Sequence, residues 1–212
     1  MKVIIFGATG GTGKQLIERS LNKGYETFAF VHDNPQQLIK YQDKITVFLG
    51  DVRDFDVVNK AIIGQDAVLV ALGVIPGRTQ YILSEGTANI IRSMEMNAVK
   101  KLVVETGAGL AANQKQLPFL WRLVASIPPM REMFDDKRKQ EEFVMGSKLD
   151  WVIVRPANLT NGPLTSNYSI GEQLTLRTSS TISRADVANF MINQITSSEW
   201  LKKAVLIEKT ER

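Results

Sequence analysis

Short apolar segments alternate along the chain with segments that have helical periodicity, and this alternation is the strongest constraint on the fold. The apolar segments are rich in β-branched and aromatic residues, and several are continuously apolar, which is typical of strands covered on both faces. They span residues 2–6, 26–31, 44–49, 66–72, 100–106, 150–156 and 203–208. The helical segments span residues 13–24, 34–42, 54–62 and 84–97, and Ser183 begins another helix. This order predicts an α/β fold with a doubly wound, mostly parallel sheet and helices on both faces.

Length and composition favour a single domain. A chain of 212 residues is long enough for one core, so we expect one domain over residues 1–212. The net charge is only +4 and its basic residues are scattered, so no nucleic-acid partner is expected. The absence of cysteine excludes disulfides, thiolate nucleophiles and cysteine-ligated metals. The longest apolar stretch, 67–76, is too short to span a membrane, and we expect a cytoplasmic protein without membrane insertion.

The first predicted strand ends in a glycine-rich loop, GATGGTG, which opens the first predicted helix. Glycines at this point let the backbone approach a pyrophosphate, whose charge is stabilised at the helix N-terminus. The alternative is a plain glycine-rich turn, but the strand–loop–helix context favours nucleotide binding. A magnesium-dependent phosphate loop is excluded because Gln15, not Ser or Thr, follows Lys14. The candidate cofactor-binding residues in the loop are Gly7, Thr9, Gly10, Gly11, Thr12 and Gly13.

The ends of three later strands supply further candidates for the same ligand. At the second strand, Asp33 would hold a ribose hydroxyl of NAD, whereas His32 and Asn34 would face the 2′-phosphate of NADP; a solvated loop is the alternative. After the third and fourth strands come the pairs Asp51–Val52, expected near adenine, and Leu72–Gly73, expected near the phosphates and ribose. Each pair alone is compatible with an ordinary turn. Together the motifs predict a Rossmann-like domain that binds NADP, with NAD as the alternative.

Much familiar catalytic chemistry is missing from the sequence. Each tyrosine lacks a lysine four positions later, so the Tyr-x-x-x-Lys pair of ordinary short-chain dehydrogenases is absent. His32 is the only histidine and is expected at the far end of the cofactor, which excludes a Ser-His-Asp triad and a poly-histidine metal site. The remaining chemistry is a reaction that needs little acid–base help, such as hydride transfer to a flavin or quinone.

Several motifs in combination resemble the atypical short-chain dehydrogenases/reductases, and more narrowly the biliverdin-IXβ reductase/flavin reductase family and its bacterial NAD(P)H-binding relatives. Besides the glycine loop they are GQDAVLVALG (64–73), SEGTANI (84–90), LDWVIVRPANLTNGPLT (149–165) and ISRADVAN (182–189). The resemblance runs nearly end to end. It implies a Rossmann-like fold and NADPH-dependent reduction of flavins or other planar acceptors.

The chain departs from that family at three positions. It has His32 in place of an arginine at the 2′-phosphate, Gly107 in place of a serine near the nicotinamide, and Asn158 in place of a later histidine. Thr106, beside Gly107, can substitute for the serine. Biliverdin is therefore not expected as the substrate.

An acceptor site is expected from residues 106–134 and 155–182. Thr106, Asn158 and Lys137 are the candidate catalytic residues, and Thr106, Gly107 and Pro156 would also contact the cofactor. For Lys137 the alternative is a solvated helix face with Lys137–Glu141 and Arg138–Glu142 pairs, and for Asn158 it is a turn.

The apolar segment 117–134 is expected to form a wall of that site. Its Phe119, Trp121 and Phe134 would stack on a planar acceptor, although helical core packing explains them equally well. Residues 157–182 have the composition of a loop.

Two functions remain open at this point. The first is an NAD(P)H-dependent oxidoreductase, flavin reductase-like, that transfers hydride to a flavin, quinone or similar planar acceptor. The second is a non-catalytic NAD(P)-binding redox sensor of the NmrA-like kind. A monomer or a homodimer is expected.

Overall fold

A computed structural model of the chain describes residues 1–74, 81–108 and 127–210. The strands are β1 (Lys2–Phe6), β2 (Glu26–Val31), β3 (Ile45–Leu49), β4 (Ala67–Val70), β5 (Lys101–Glu105), β6 (Asp150–Pro156), β7 (Asn158–Thr160), β8 (Tyr168–Gly171), β9 (Thr181–Ser183) and β10 (Lys203–Lys209). The α-helices are α1 (Gly11–Asn22), α2 (Phe55–Ile62), α3 (Ile82–Met96), α4 (Pro128–Gly146) and α5 (Arg184–Asn193), and Pro35–Tyr41 is a 3₁₀ helix.

The main sheet has the order β3-β2-β1-β4-β5-β6-β10-β8. Every neighbouring pair is parallel except β10 and β8, which are antiparallel at the edge. The sequence therefore predicted the fold class correctly: the chain has a Rossmann-like, doubly wound sheet.

Helices cover both faces because residues along each strand alternate between two cores. In β1, Val3 and Ile5 belong to a core completed by α1 and α5, while Ile4 and Phe6 belong to a second core completed by α2, α3 and α4. All four side chains are fully buried. A strand buried on both sides has no polar face, which is why it reads as a continuous apolar run.

Two local expectations are corrected by the structure. Residues 35–41 form a 3₁₀ helix, in which the Gln42 amide bonds to the Ile39 carbonyl at 3.2 Å, three residues back. Residues 157–182 contain β7, β8 and β9, although their composition is that of a loop. These strands have only three or four residues, and distant partners fix them: β9 pairs with β7, and β8 pairs with β10.

The parallel strands bring their carboxyl ends to one edge of the sheet. Phe6 lies beside Val70, Val70 beside Val104, and Glu105 beside Val154. The segments that follow β1 to β6 therefore meet at that edge, and the order reverses between β1 and β4, where ligands bind in open α/β sheets. Within the described ranges, no helix combines the length and apolar character needed to cross a bilayer.

Candidate functional site

The glycine loop is shaped by close backbone contacts. Gly7 has φ of +77°, and a Cβ there would overlap the Ala71 carbonyl oxygen; a Cβ at Gly13 would overlap the Gly7 carbonyl oxygen. Gly10 differs, because its Cβ would lie 3.2 Å from that same oxygen. Gly10 is the N-cap of α1 and offers no side-chain cap. The first amides of α1 are thus left without a capping side chain, as an anion-binding helix start requires.

A cavity of about 630 Å³ lies over the carboxyl ends of β1 to β5. It brings together most of the predicted cofactor residues: Gly7, Thr9, Gly10, Gly11, Thr12, His32, Asp51, Val52, Leu72, Gly73 and Thr106. Gly13 and Asp33 do not line it as the described residues define it, and the Asp33 side chain is 85% exposed. Gly107 and Pro156 line the neighbouring cavity. The sequence did not single out several further lining residues, among them Phe30, Arg53, Ile82, Glu105 and Arg184.

One end of this cavity carries a cluster of charged side chains after β2 and β3. The Asp51 carboxylate accepts bonds from Arg53 Nη2 at 2.6 Å and Nε at 3.1 Å, and this arginine lowers the pKa of Asp51. His32 Nε2 lies 3.7 Å from Asp51 Oδ2, with the imidazole 67% exposed. Arg53 and His32 thus supply donors for a phosphate next to a carboxylate that can accept from hydroxyls.

Arg184, the first residue of α5, contacts the glycine loop. Its Cδ would lie 2.6 Å from a Cβ at Gly11, so the guanidinium stem rests directly on the loop. Its Nη1 donates to Asn161 Oδ1 at 2.8 Å. A cation held this close to the N-terminus of α1 adds to the attraction for a pyrophosphate.

Glu105, the last residue of β5, is a buried acid in the floor of the cavity. It is 8% exposed, and its Oε1 accepts from Thr12 Oγ1 at 3.1 Å. Burial raises the pKa of Glu105 to about 7, while the Thr12 hydrogen bond and the charges of Lys137 and Arg184 act in the opposite direction.

Lys137 projects from α4 into the junction between this cavity and the next. Its Nζ donates to the Thr106 carbonyl at 3.1 Å, and burial lowers the pKa of the ammonium. The interpretation as a solvated helix face is therefore wrong for Lys137. Glu141 does not serve as its surface partner, because it forms a buried pair with Arg155 at 2.6 Å. Arg138 pairs with Asp135 rather than with the expected Glu142.

Thr106 is tied into the same buried network. Its hydroxyl donates to Glu141 Oε1 at 2.6 Å, and Arg155 Nε donates to that oxygen at 3.0 Å. The Thr106 hydroxyl therefore points at Glu141. This hydrogen bond holds in place the Thr106 backbone, whose carbonyl accepts from Lys137.

A second cavity of about 460 Å³ adjoins the first. It is lined by the predicted residues Gly107, Pro156 and Asn158 and by the apolar side chains of Met130, Met133, Phe134, Leu159 and Leu176. Asn158 Nδ2 donates to the carbonyls of Thr178 at 2.9 Å and Ser180 at 3.0 Å, so this amide braces the opposite wall. Four residues line both cavities: Thr106, Lys137, Leu159 and Arg184. Phe119 and Trp121 lie outside the described residues.

Comparison with known proteins agrees with this geometry. The chain is 28% identical over 218 residues to an uncharacterised chloroplast protein of Arabidopsis thaliana, covering 97% of this chain and 76% of that protein. Two solved structures have the same fold. The anaerobilin reductase ChuY of Escherichia coli O157:H7 has a TM-score of 0.85 and 18% identity, covering 100% of this chain and 98% of that one. A short-chain dehydrogenase/reductase of Veillonella parvula, in complex with NADP, has a TM-score of 0.79 and 16% identity, covering 97% and 93%.

These solved structures fit the resemblance to atypical short-chain dehydrogenases/reductases. The match to a family model is stronger evidence of family membership than the shared fold alone. The match to the model of NAD(P)H-binding proteins begins at Gly7 in the glycine loop and ends at Ser198, beyond α5. Since it takes in nearly the whole chain, the protein belongs to this NAD(P)H-binding family.

Proposed function

We propose that the protein is an NADPH-dependent oxidoreductase that reduces a flavin, a quinone or a similar planar acceptor. The observation that carries this proposal is the pair of adjoining cavities with Lys137 at their junction. The first has a glycine loop, a helix N-terminus and cations suited to a dinucleotide; the second is mostly apolar and suited to a flat ring system. The reductase ChuY and the NADP-bound dehydrogenase share the fold, which supports the same assignment.

The residues at the junction have distinct roles in the proposed reaction. When bound, NADPH would supply the hydride, that is, one proton with two electrons. Lys137 gives the acceptor the proton that completes its reduction and regains a proton from water. Thr106 holds the Lys137 ammonium through its carbonyl, and Glu141 with Arg155 holds Thr106. The lowered pKa of Lys137 brings proton release closer to neutral pH than in an exposed lysine.

Replacing Lys137 tests this proposal. Lys137→Met keeps most of the side-chain length but removes the proton, so kcat should fall by roughly 10- to 100-fold with NADPH and a quinone. The cofactor Kd should change by less than about threefold, because other groups hold the dinucleotide. Lys139→Met on the exposed side of the same helix is the matched control and should leave kcat unchanged. An unaltered kcat in Lys137→Met would refute the role of Lys137.

The proposed preference for NADP rests on Arg53 and His32. Either side chain can donate to a 2′-phosphate, and Arg53 already lies 2.6 Å from Asp51 in a planar, two-bond arrangement. Replacing Arg53 with glutamine should weaken NADPH binding about tenfold and NADH binding by less than about threefold. Calorimetric titration with both cofactors at one ionic strength measures this. Equal or tighter binding of NADH to the unaltered protein would show that the preference is wrong.

A second candidate function, a redox sensor without catalysis, is favoured by one observation. All three candidate catalytic groups are engaged in internal hydrogen bonds: the Thr106 hydroxyl, the Asn158 amide and the Lys137 ammonium. NADPH consumption with FMN, riboflavin and simple quinones separates the two functions. Turnover supports the reductase, whereas tight cofactor binding without turnover on the whole panel supports the sensor.

A further inference from the structure

Glu105 is a buried acid that the proposed hydride transfer does not use. It lies beside the junction of the two cavities: its carboxylate accepts a hydrogen bond from the Thr12 hydroxyl in the glycine loop, and the next residue, Thr106, lines both cavities. More than nine-tenths of its surface is buried, yet it lines the dinucleotide cavity. A carboxylate in such a place interacts strongly with any charge that enters the cavity.

The charged groups that face Glu105 come from two helices. Lys137 on α4 and Arg184 on α5 are the cations whose charge acts on it, and Thr12 on α1 contributes only a hydroxyl. The nearby acid Glu141, on α4, is matched by Arg155 of β6 through two hydrogen bonds. The Glu141–Arg155 pair is internally neutral, and Asp51, which also lines the dinucleotide cavity, is paired with Arg53. Glu105 is therefore the acid whose charge we expect to respond to the ligand.

The reacting ring of a bound cofactor would lie at this junction. The pyrophosphate is expected at the N-terminus of α1, and the ring that meets the acceptor must lie where the two cavities join. Both Thr106 and Lys137 line that point, and Glu105 directly precedes Thr106 in the chain. A nicotinamide ring carries a positive charge when oxidised and none when reduced.

We infer that Glu105 makes cofactor binding sensitive to redox state: ionised Glu105 favours the oxidised form, and protonated Glu105 removes that preference. This inference rests on the proposed NAD(P)H function and assigns Glu105 a part in it. A carboxylate this close to the junction would stabilise the positive charge of an oxidised ring bound there. The same charge gives the free protein a higher affinity for NADP⁺ relative to NADPH at alkaline pH than at acid pH.

The direction follows from the protonation of Glu105. Its pKa of about 7 means that the group is mostly neutral below that pH and mostly ionised above it. Binding the oxidised ring favours the ionised form and lowers this pKa, whereas the reduced ring does not. The ratio of the Kd for NADP⁺ to the Kd for NADPH should therefore fall as pH rises. The fall reaches about tenfold if the pKa differs by one unit between the two complexes.

Calorimetric titration of the full chain with NADP⁺ and NADPH, from about pH 6 to about pH 8, measures this ratio. The 2′-phosphate is common to both forms, so its own titration cancels. Glu105→Gln should make the ratio independent of pH in this range. Thr12→Val removes the hydrogen bond that stabilises ionised Glu105, and should move the midpoint of the fall to higher pH.

The outcomes distinguish this inference from the function on which it rests. Failure to bind either form overturns both. Binding of both forms with a ratio that does not change with pH, or that changes equally in Glu105→Gln, overturns the role of Glu105 and leaves the function standing. If Glu105→Gln does not fold, the Thr12→Val midpoint decides: an unshifted midpoint overturns the inference, and an upward shift supports it.

Discussion

A side chain at Gly7 or Gly13 would overlap backbone atoms, whereas Gly10 has an ordinary φ of −67° and limited room for a Cβ. Gly10→Leu should therefore fold but project into the space of the pyrophosphate. We expect cofactor affinity to fall more than about 100-fold, since the loop amides become inaccessible. Calorimetry measures the affinity, and thermal unfolding checks the fold. Gly146→Ala, at the exposed end of α4, is the control and should bind normally.

A folded Gly10→Leu variant with normal cofactor affinity would show that the loop does not hold the dinucleotide. A Gly13→Ala variant should instead lose stability, because its Cβ would overlap the Gly7 carbonyl oxygen. The two glycines thus separate a binding role from a folding role within one loop.

Helices α3 and α4 are joined by a carboxylate that acts across elements. Asp136 of α4 is fully buried, and its two oxygens accept the amides of Leu83 at 3.0 Å and Ser84 at 2.9 Å, in the first turn of α3. Asp136→Ala leaves both amides unpaired in the interior, so we expect a loss of about 2–4 kcal/mol in the free energy of unfolding. Urea denaturation measures it.

The neighbouring residue provides the control for this helix contact. Asp135 pairs with Arg138 and Arg131 at the surface, so Asp135→Ala should cost less than about 1 kcal/mol. Equal costs for the two variants would show that Asp136 does not join the helices.

The elements that the sequence predicted best are those fixed by neighbouring residues. One short glycine loop is enough to predict the turn from β1 into α1. Asp54 caps α2 and Ser183 caps α5, as their sequence positions indicate. Lys137, by contrast, occupies a helix with charges on many sides, and nothing near it in the chain shows that Thr106 lies 3.1 Å away. Contacts between distant segments depend on how the sheet orders its strands, and this order is not visible in local periodicity.

Arg53, Glu105 and Arg184 were missed for the same reason. Glu105 ends an apolar strand, and such an acid is usually the first polar residue of a loop; here residues distant in the chain surround it, among them Thr12, Lys137 and Arg184. The sequence signal that could have identified Glu105 is an acid at the last position of an otherwise apolar strand. Arg184 follows a helix cap, where the sequence suggests only a helix start.

The stability of the whole molecule should depend on pH through Glu105. Its pKa rises from 4.5 to about 7 on folding, so the folded state binds the proton more tightly. Stability is then greatest below the unfolded pKa and falls as pH rises through the folded one, by up to about 3 kcal/mol. The lowered pKa values of Asp51 and Asp186 act oppositely, because their stabilisation is lost only in stronger acid.

Urea denaturation of the cofactor-free protein at about pH 5 and about pH 8 measures this effect. Glu105→Gln should remove most of the fall and be the more stable protein at the higher pH. An equal fall in both proteins would assign it to other groups.

The two cavities share a wall formed by Thr106, Leu159, Lys137 and Arg184, and this arrangement affects how the protein can evolve. The other side chains of the apolar cavity, such as Met130, Met133 and Leu176, do not line the dinucleotide cavity. Replacing them reshapes one compartment while the other keeps its ligand. Under the proposed function, a lineage built on this chain can therefore exchange one oxidant for another and retain its source of reducing power.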